Sequence, residues 1–197
     1  MPVSLSTPLS ESSVRALSLN EQVLLSGQIF TARDMVHKYL AGDCDLEALQ
    51  YLHGGIFYHC GPVIIKAEDG SWRVTAAGPT TSSREEPYMA TLIEKFSLRA
   101  IIGKGGMGAR TLDACRRCGC VYLHAVGGAA QVLAAAVQDI PAVEFLSEFG
   151  QPEALWTFTV KNFPAVVSMD AQGNSLHQQV QSESQQRLLQ LLDESDK

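Results

Sequence analysis

The sequence predicts a three-layer α/β domain with a mostly parallel central sheet and an additional β layer. The middle of the chain alternates strand-like apolar runs with helical stretches, the pattern of parallel strands joined by right-handed crossovers. Two of these runs, residues 98–102 and 121–125, are almost continuously apolar, as suits strands covered on both faces. The first third and the stretch after residue 142 hold more strand than helix signals, which disfavours a doubly wound sheet.

Residues 1–19 read as a polar arm. Residues 23–30 read as a strand interrupted at Ser26-Gly27, followed by a helix from near Arg33 through Leu40 with Thr31 as a candidate cap. Residues 41–55 are loop-like. Residues 56–65 favour a bent or paired strand around Gly61-Pro62. A short strand at 72–77 delivers Gly78-Pro79. Residues 86–96 predict a helix with Pro87 in its first turn, and residues 111–118 a second one. Gly127-Gly128 opens an Ala-rich helix through Val137. Residues 142–146, 155–160 and 165–169 read as three more strands. Residues 178–192 form an amphipathic terminal helix with a charged tail.

At 197 residues the chain suits one domain of ordinary size. Its net charge of -6 and lack of a basic stripe argue against a nucleic-acid partner. No apolar run approaches the roughly 18–20 residues that span a bilayer, so no membrane segment is expected. The N-terminus lacks the basic start and apolar stretch of a secretion signal, which predicts a cytoplasmic protein. The five cysteines, an odd number, argue against a disulfide framework. Cys115, Cys118 and Cys120 invite a metal reading, but a full site commonly takes four ligands and no second close pair exists. They read as small buried hydrophobes, and no metal site is expected on this chain.

The chemistry concentrates in two tracts, Gly78-Pro79-Thr80-Thr81-Ser82-Ser83-Arg84 and Gly103-Lys104-Gly105-Gly106. They put hydroxyls, a guanidinium and an ammonium on Gly-rich loops, a set suited to a small dianion. Arg33 sits at another strand-to-helix junction and can share that anion pocket, while His37, one turn on, can brace Arg33 or meet the ligand. Residues 103–108 formally match the G-x-G-x-x-G dinucleotide pattern. The strand at 121–125 ends on His124-Ala125 without the acidic residue that would hold a ribose. Gly127-Gly128 has two open readings, anion binding at a helix N-terminus or close helix–strand packing. His53, His59, His124 and His177 show no metal-binding spacing, and residues 170–174 signal a turn.

Taken together, SGQIFTARDMVHKYL, GPTTSSREEPY, IIGKGGMG, VYLHAVGGAA, PEALW and FPAVVSMDAQGNSLH resemble, in order and spacing, the β-subunit or C-terminal domain of class I (iron–sulfur) fumarases and L-tartrate dehydratases. The resemblance covers residues 20–177; the arm and the segment 178–197 lie outside it. It implies a swivelling β/β/α fold and a hydro-lyase active only with an α-subunit. That partner would carry the [4Fe-4S] cluster through its own cysteines. It further implies that Arg33, Arg84 and Lys104 hold the carboxylates of a small dicarboxylate substrate. Thr80 would take part in proton transfer at the adjacent carbon, and Thr81 would assist binding. Fumarate and L-malate are the favoured substrate pair, with L-tartrate as the alternative. A non-catalytic dicarboxylate-binding module is the reading from another class.

Overall fold

The computed structural model describes residues 1–195. The strands are β1 (Val3–Ser6), β2 (Gln22–Ala32), β3 (Ile56–His59), β4 (Val63–Lys66), β5 (Trp72–Ala76), β6 (Ala100–Gly103), β7 (Val121–His124), β8 (Val137–Glu144) and β9 (Leu155–Met169). The helices are α1 (Glu11–Arg15), α2 (Asp34–Ala41), α3 (Glu86–Phe96), α4 (Ala109–Cys118), α5 (Ala130–Ala135), α6 (Leu146–Phe149) and α7 (Leu176–Ser195).

Seven strands form one mixed sheet in the order β1-β2-β3-β6-β7-β9-β8, and β4 with β5 forms a separate ribbon. The pairs β1–β2, β2–β3, β3–β6 and β6–β7 are parallel. Strand β9 runs antiparallel to β2, β7 and β8. Because β9 pairs with both β2 and β7, the ring β2-β3-β6-β7-β9 closes on itself, which leaves those strands no free edge. The expected central parallel sheet is present, with a long antiparallel strand sealing it.

Side-chain alternation sorts the sheet residues into two cores. Ile56, Tyr58, Ile102, Val121, Leu123, Trp156 and Phe158 belong to one buried cluster. Phe57, Ile101 and Tyr122, on the opposite face, pack with Val36 and Leu40 of α2, Met89, Leu92 and Ile93 of α3, and Leu112 and Cys115 of α4. Those three helices form the α layer. On the other side Trp72 and Val74 of the β4–β5 ribbon, Val137 and Val143 of β8, and Ala129 beside α5 pack against the first core. The Trp72 and Trp156 rings meet edge to face with centroids 5.3 Å apart.

Several elements depart from the sequence reading. The segment taken as a polar arm is part of the fold: β1 pairs with β2 in register Val3↔Val23 to Ser6↔Ser26. Leu5, Leu9, Val14 and Leu17 are buried in the first core. Serines and threonines between these apolar residues hide their periodicity. Residues 56–65 form two strands in different sheets, because Cys60-Gly61-Pro62 breaks the ladder. Residues 155–160 and 165–169 belong to one strand, β9. The apparent gap is a bulge, where Lys161 and Asn162 stand opposite the single residue Ser26; Asn162 takes φ 52° and donates its backbone N–H to Ser26 Oγ at 3.0 Å. The Ala-rich helix is only Ala130–Ala135, and Val137 already lies in β8.

Candidate functional site

The parallel strands β2, β3, β6 and β7 all point their C-terminal ends to one edge, the place where α/β sheets gather ligand-binding loops. Arg33 follows β2, Cys60 and Gly61 follow β3, Lys104 follows β6, and Ala125 to Gly128 follow β7. The tract 78–84 arrives from the β4–β5 ribbon and is threaded along this edge. Pro79 pairs with Cys60, and Thr81 pairs with Lys104. Thr80 donates its N–H to the His59 carbonyl at 2.7 Å, and Ser82 donates its N–H to the Lys104 carbonyl at 3.0 Å. Arg33, Thr80, Thr81, Arg84 and Lys104, scattered over 72 positions of sequence, therefore share one edge.

Both guanidinium groups are already paired with carboxylates. Arg33 stands at the N-cap of α2 in extended conformation, and its guanidinium pairs with Glu153 at 3.4 Å. Glu153 also accepts the backbone N–H of Met35 at 3.0 Å, so it ties α2 to the turn before β9. The side chain of Arg33 lies over Gly61, where a Cβ would approach Nη1 to 2.7 Å. Its buried Nε has no hydrogen-bond partner among the described residues. Arg84 pairs with Asp34 at the start of α2. Lys104 crosses Gly127, with its Cδ 3.4 Å from where a Cβ would stand. Gly105 and Gly106 take φ 83° and 72°, a left-handed pair that lets the backbone turn here at little steric cost.

Beneath this edge lies a buried polar cluster that the sequence reading did not assemble. Glu85 is fully buried, 3.5 Å from His37 Nδ1, and neither of its oxygens has a hydrogen-bond partner among the described residues. Burial, reinforced by the Asp34 carboxylate, pushes Glu85 up to about 8. The Glu85 carboxyl beside Asp34, with Arg84 and Arg33, holds Asp34 below its usual value. His37 braces the junction through its Nδ1 contact with the Arg33 carbonyl at 2.9 Å, and burial drives it down to about 4. The His37 and His59 rings meet with centroids 4.8 Å apart, and burial followed by His37 holds His59 well below the ordinary histidine range. Both imidazoles are thus neutral around pH 7. No spacing rule could have linked these residues, because their contacts join α2, β3 and the loop before α3.

The dinucleotide pattern at 103–108 has another explanation. Glu86 Oε2 accepts the Gly108 N–H at 2.7 Å and the Thr111 hydroxyl at 2.7 Å. Its other oxygen accepts the Thr111 N–H at 3.3 Å. An internal carboxylate therefore occupies the N-terminus of α4, where a pyrophosphate would have to sit. Thr31 is not a helix cap: it is buried in β2 and its hydroxyl accepts the backbone N–H of Trp156 at 3.0 Å. Gly127-Gly128 forms a turn before the short α5, and Gly78 packs on Ala130, where a Cβ would come within 3.1 Å. Asp170 accepts hydrogen bonds from the backbones of Gln172 and Asn174, at 3.0 and 2.9 Å, which makes residues 170–174 a structural turn.

The cysteines do not build a cluster site. Cys115 and Cys118 end α4 and Cys120 precedes β7, at the opposite edge of the sheet from Lys104. Burial pushes the Cys118 and Cys120 thiols up, which disfavours the thiolates a metal needs. Among the described residues no group of three or more His, Cys, Asp or Glu is arranged to hold a metal ion. No helix among them is long and apolar enough to cross a membrane. A cleft of about 620 Å³ between the β4–β5 ribbon, α5 and β8 contains none of the five edge residues.

Fold and edge define an α/β domain that presents a cationic, hydroxyl-bearing set of loops at the ends of parallel strands. The sequence profile of the Fumarase C-terminus family matches residues 1–180, and the chain belongs to that family. It is 49% identical over 188 residues to a Geobacillus stearothermophilus protein named "Putative fumarate hydratase class I". That alignment covers 95% of this chain and 36% of the relative, so the chain spans about a third of that protein's length. It is 39% identical over 187 residues to the "Putative L(+)-tartrate dehydratase subunit beta" of Methanocaldococcus jannaschii, covering 93% of this chain and 95% of the relative. Identity to the "L(+)-tartrate dehydratase subunit beta" of Escherichia coli K12 is 33% over 173 residues, with 87% and 85% covered. The match begins at residue 1, in keeping with the structural role of β1 and α1.

Proposed function

We propose that this chain is the β-subunit of a cytoplasmic hydro-lyase that interconverts fumarate and L-malate, and that its domain is of the swivelling β/β/α kind. The observation that carries the reading is the shared edge of Arg33, Thr80, Thr81, Arg84 and Lys104, in a chain 49% identical to a relative named as a fumarate hydratase. In this reading the [4Fe-4S] cluster belongs to a partner α-subunit, because the cysteines of this chain do not fit one. When bound there, the cluster supplies Lewis-acid chemistry.

The roles of this chain's residues follow from their positions. Arg33 and Arg84 present planar donor forks suited to a substrate carboxylate. Lys104 adds a point charge across the Thr81–Lys104 pairing. These three cations offset the negative charge that grows on the carboxylate as the adjacent carbon loses its proton. The Thr80 hydroxyl handles that proton. A threonine hydroxyl is a weak base by itself, so an acidic group from the partner completes the step.

A second reading, L-tartrate to oxaloacetate and water, is favoured by the names of the two β-subunit relatives. The two reactions differ by one substrate hydroxyl, which a pocket accepts or rejects through a few contacts. Anaerobic assays of the reconstituted heteromer, with fumarate and L-malate on one side and L-tartrate on the other, separate them. Higher kcat/KM on the fumarate pair supports the first reading; higher kcat/KM on L-tartrate replaces it with the second.

A further inference from the structure

Ser82 is the one polar side chain of the tract 78–84 that turns inward: it is fully buried, with Thr81 and Ser83 exposed on either side. Its hydroxyl lies 2.8 Å from His59 Nδ1 and 2.7 Å from the Tyr122 hydroxyl, and both partners are themselves fully buried. This triad joins the loop to β3 and β7. The backbone adds two more ties, Thr80 N–H to the His59 carbonyl and Ser82 N–H to the Lys104 carbonyl. His59 therefore holds the loop twice, by its carbonyl before Thr81 and by its ring after it.

The space for this arrangement is made by Gly103. A Cβ there would collide with Ser82 Oγ and come within 2.8 Å of the Tyr122 hydroxyl. The first glycine of the Gly103-Lys104-Gly105-Gly106 tract thus serves the triad, not a ligand. A buried hydroxyl or imidazole nitrogen is costly to leave unpaired, so Ser82 Oγ, His59 Nδ1 and the Tyr122 hydroxyl favour the geometry in which they pair. Thr80 and Thr81 sit on the span between the anchors, and their side chains make no hydrogen bond among the described residues.

We propose that Ser82, His59 and Tyr122 are positioning residues that fix the Thr80 hydroxyl in its working geometry. The inference rests on the role given above to Thr80. A misplacement near 1 Å costs roughly a hundredfold in rate when a reacting group must be aligned.

The test uses the heteromer of this chain with its α-subunit. Ser82→Ala and Tyr122→Phe, the latter conserving ring volume, should each lower kcat about 10- to 100-fold and leave KM within about twofold. Combined with Thr80→Ala, neither should cost anything further, because the residue they position is gone. Hydrogen exchange of the full chain gives a readout apart from activity: the amides of residues 78–84 should exchange faster in both variants. Exchange unchanged in both variants, or losses that multiply with Thr80→Ala, overturns the inference. Full turnover of Thr80→Ala alone overturns the role of Thr80 and the catalytic half of the inference with it. Faster exchange in that event still separates the clamp from the chemistry.

Discussion

Glu85 gives the sharpest pH signature in the molecule. It is fully buried, and four charged or titratable groups face it: Asp34 and His37 from α2, Arg84 beside it, and Glu153 from the turn before β9. Its carboxyl moves from an ordinary 4.5 up to about 8, chiefly through burial. At about 1.4 kcal/mol per pH unit, that difference is worth on the order of 5 kcal/mol. The sign follows from proton counting. The folded chain holds a proton that the unfolded chain releases, so the stabilising contribution is complete below pH 4.5. It is lost as the pH rises to about 8. Asp34, shifted downward from 3.8, acts below that window and does not obscure it. His37, lowered from 6.5 to about 4, acts with the opposite sign, losing stability as the pH falls through that range. Glu85→Gln keeps the shape and removes the titration. Urea unfolding of the wild-type chain and the variant, at steps from pH 5 to 8.5, isolates the difference. The gap between them should shift in favour of Gln by several kcal/mol as the pH rises. Parallel curves would refute the buried, proton-holding state of Glu85.

Three further outcomes follow from the same geometry. Gly103→Ala forces a methyl into the Ser82–Tyr122 contact and should destabilise the chain by about 1–3 kcal/mol in chemical unfolding, with loss of activity in the heteromer. Leu17→Ala should cost about 2–5 kcal/mol, since Leu17 is 3% exposed in the first core; an unchanged midpoint would return residues 1–19 to the status of an arm. Arg84→Lys keeps the charge but loses the fork, and should raise KM about tenfold or more in steady-state assays, on the scale of one charge-assisted hydrogen bond.

Much of the fold was legible because local and global signals agree. The apolar runs at 98–102 and 121–125 became β6 and β7, buried on both faces. Pro87 marked the start of α3, and Thr111 lies in the first turn of α4. The segments that misled were those where tertiary contacts override local pattern. Asn162 and Pro164 suggest a break, yet the bulge opposite Ser26 carries β9 through. The polar residues of the first segment conceal Leu5, Leu9, Val14 and Leu17, whose burial depends on β2 and β9. The five edge residues were nameable from their loops and from family resemblance. The cluster beneath them was not, because Ser82 finds His59 and Tyr122 across 23 and 40 positions. Glu86 was equally hidden: its role at the start of α4 appears only once α3 and α4 are packed side by side.

The central claim is that this edge becomes a catalytic site only when a partner covers it. The most direct measurement titrates the chain into a fixed amount of anaerobic, cluster-loaded α-subunit while fumarate hydration is followed. Turnover should start from zero, rise with the added chain and saturate at a fixed stoichiometry. A Thr80→Ala chain should assemble to the same stoichiometry and keep only a small residual turnover. Equal turnover by the α-subunit alone, or full turnover by the Thr80→Ala assembly, would contradict the account.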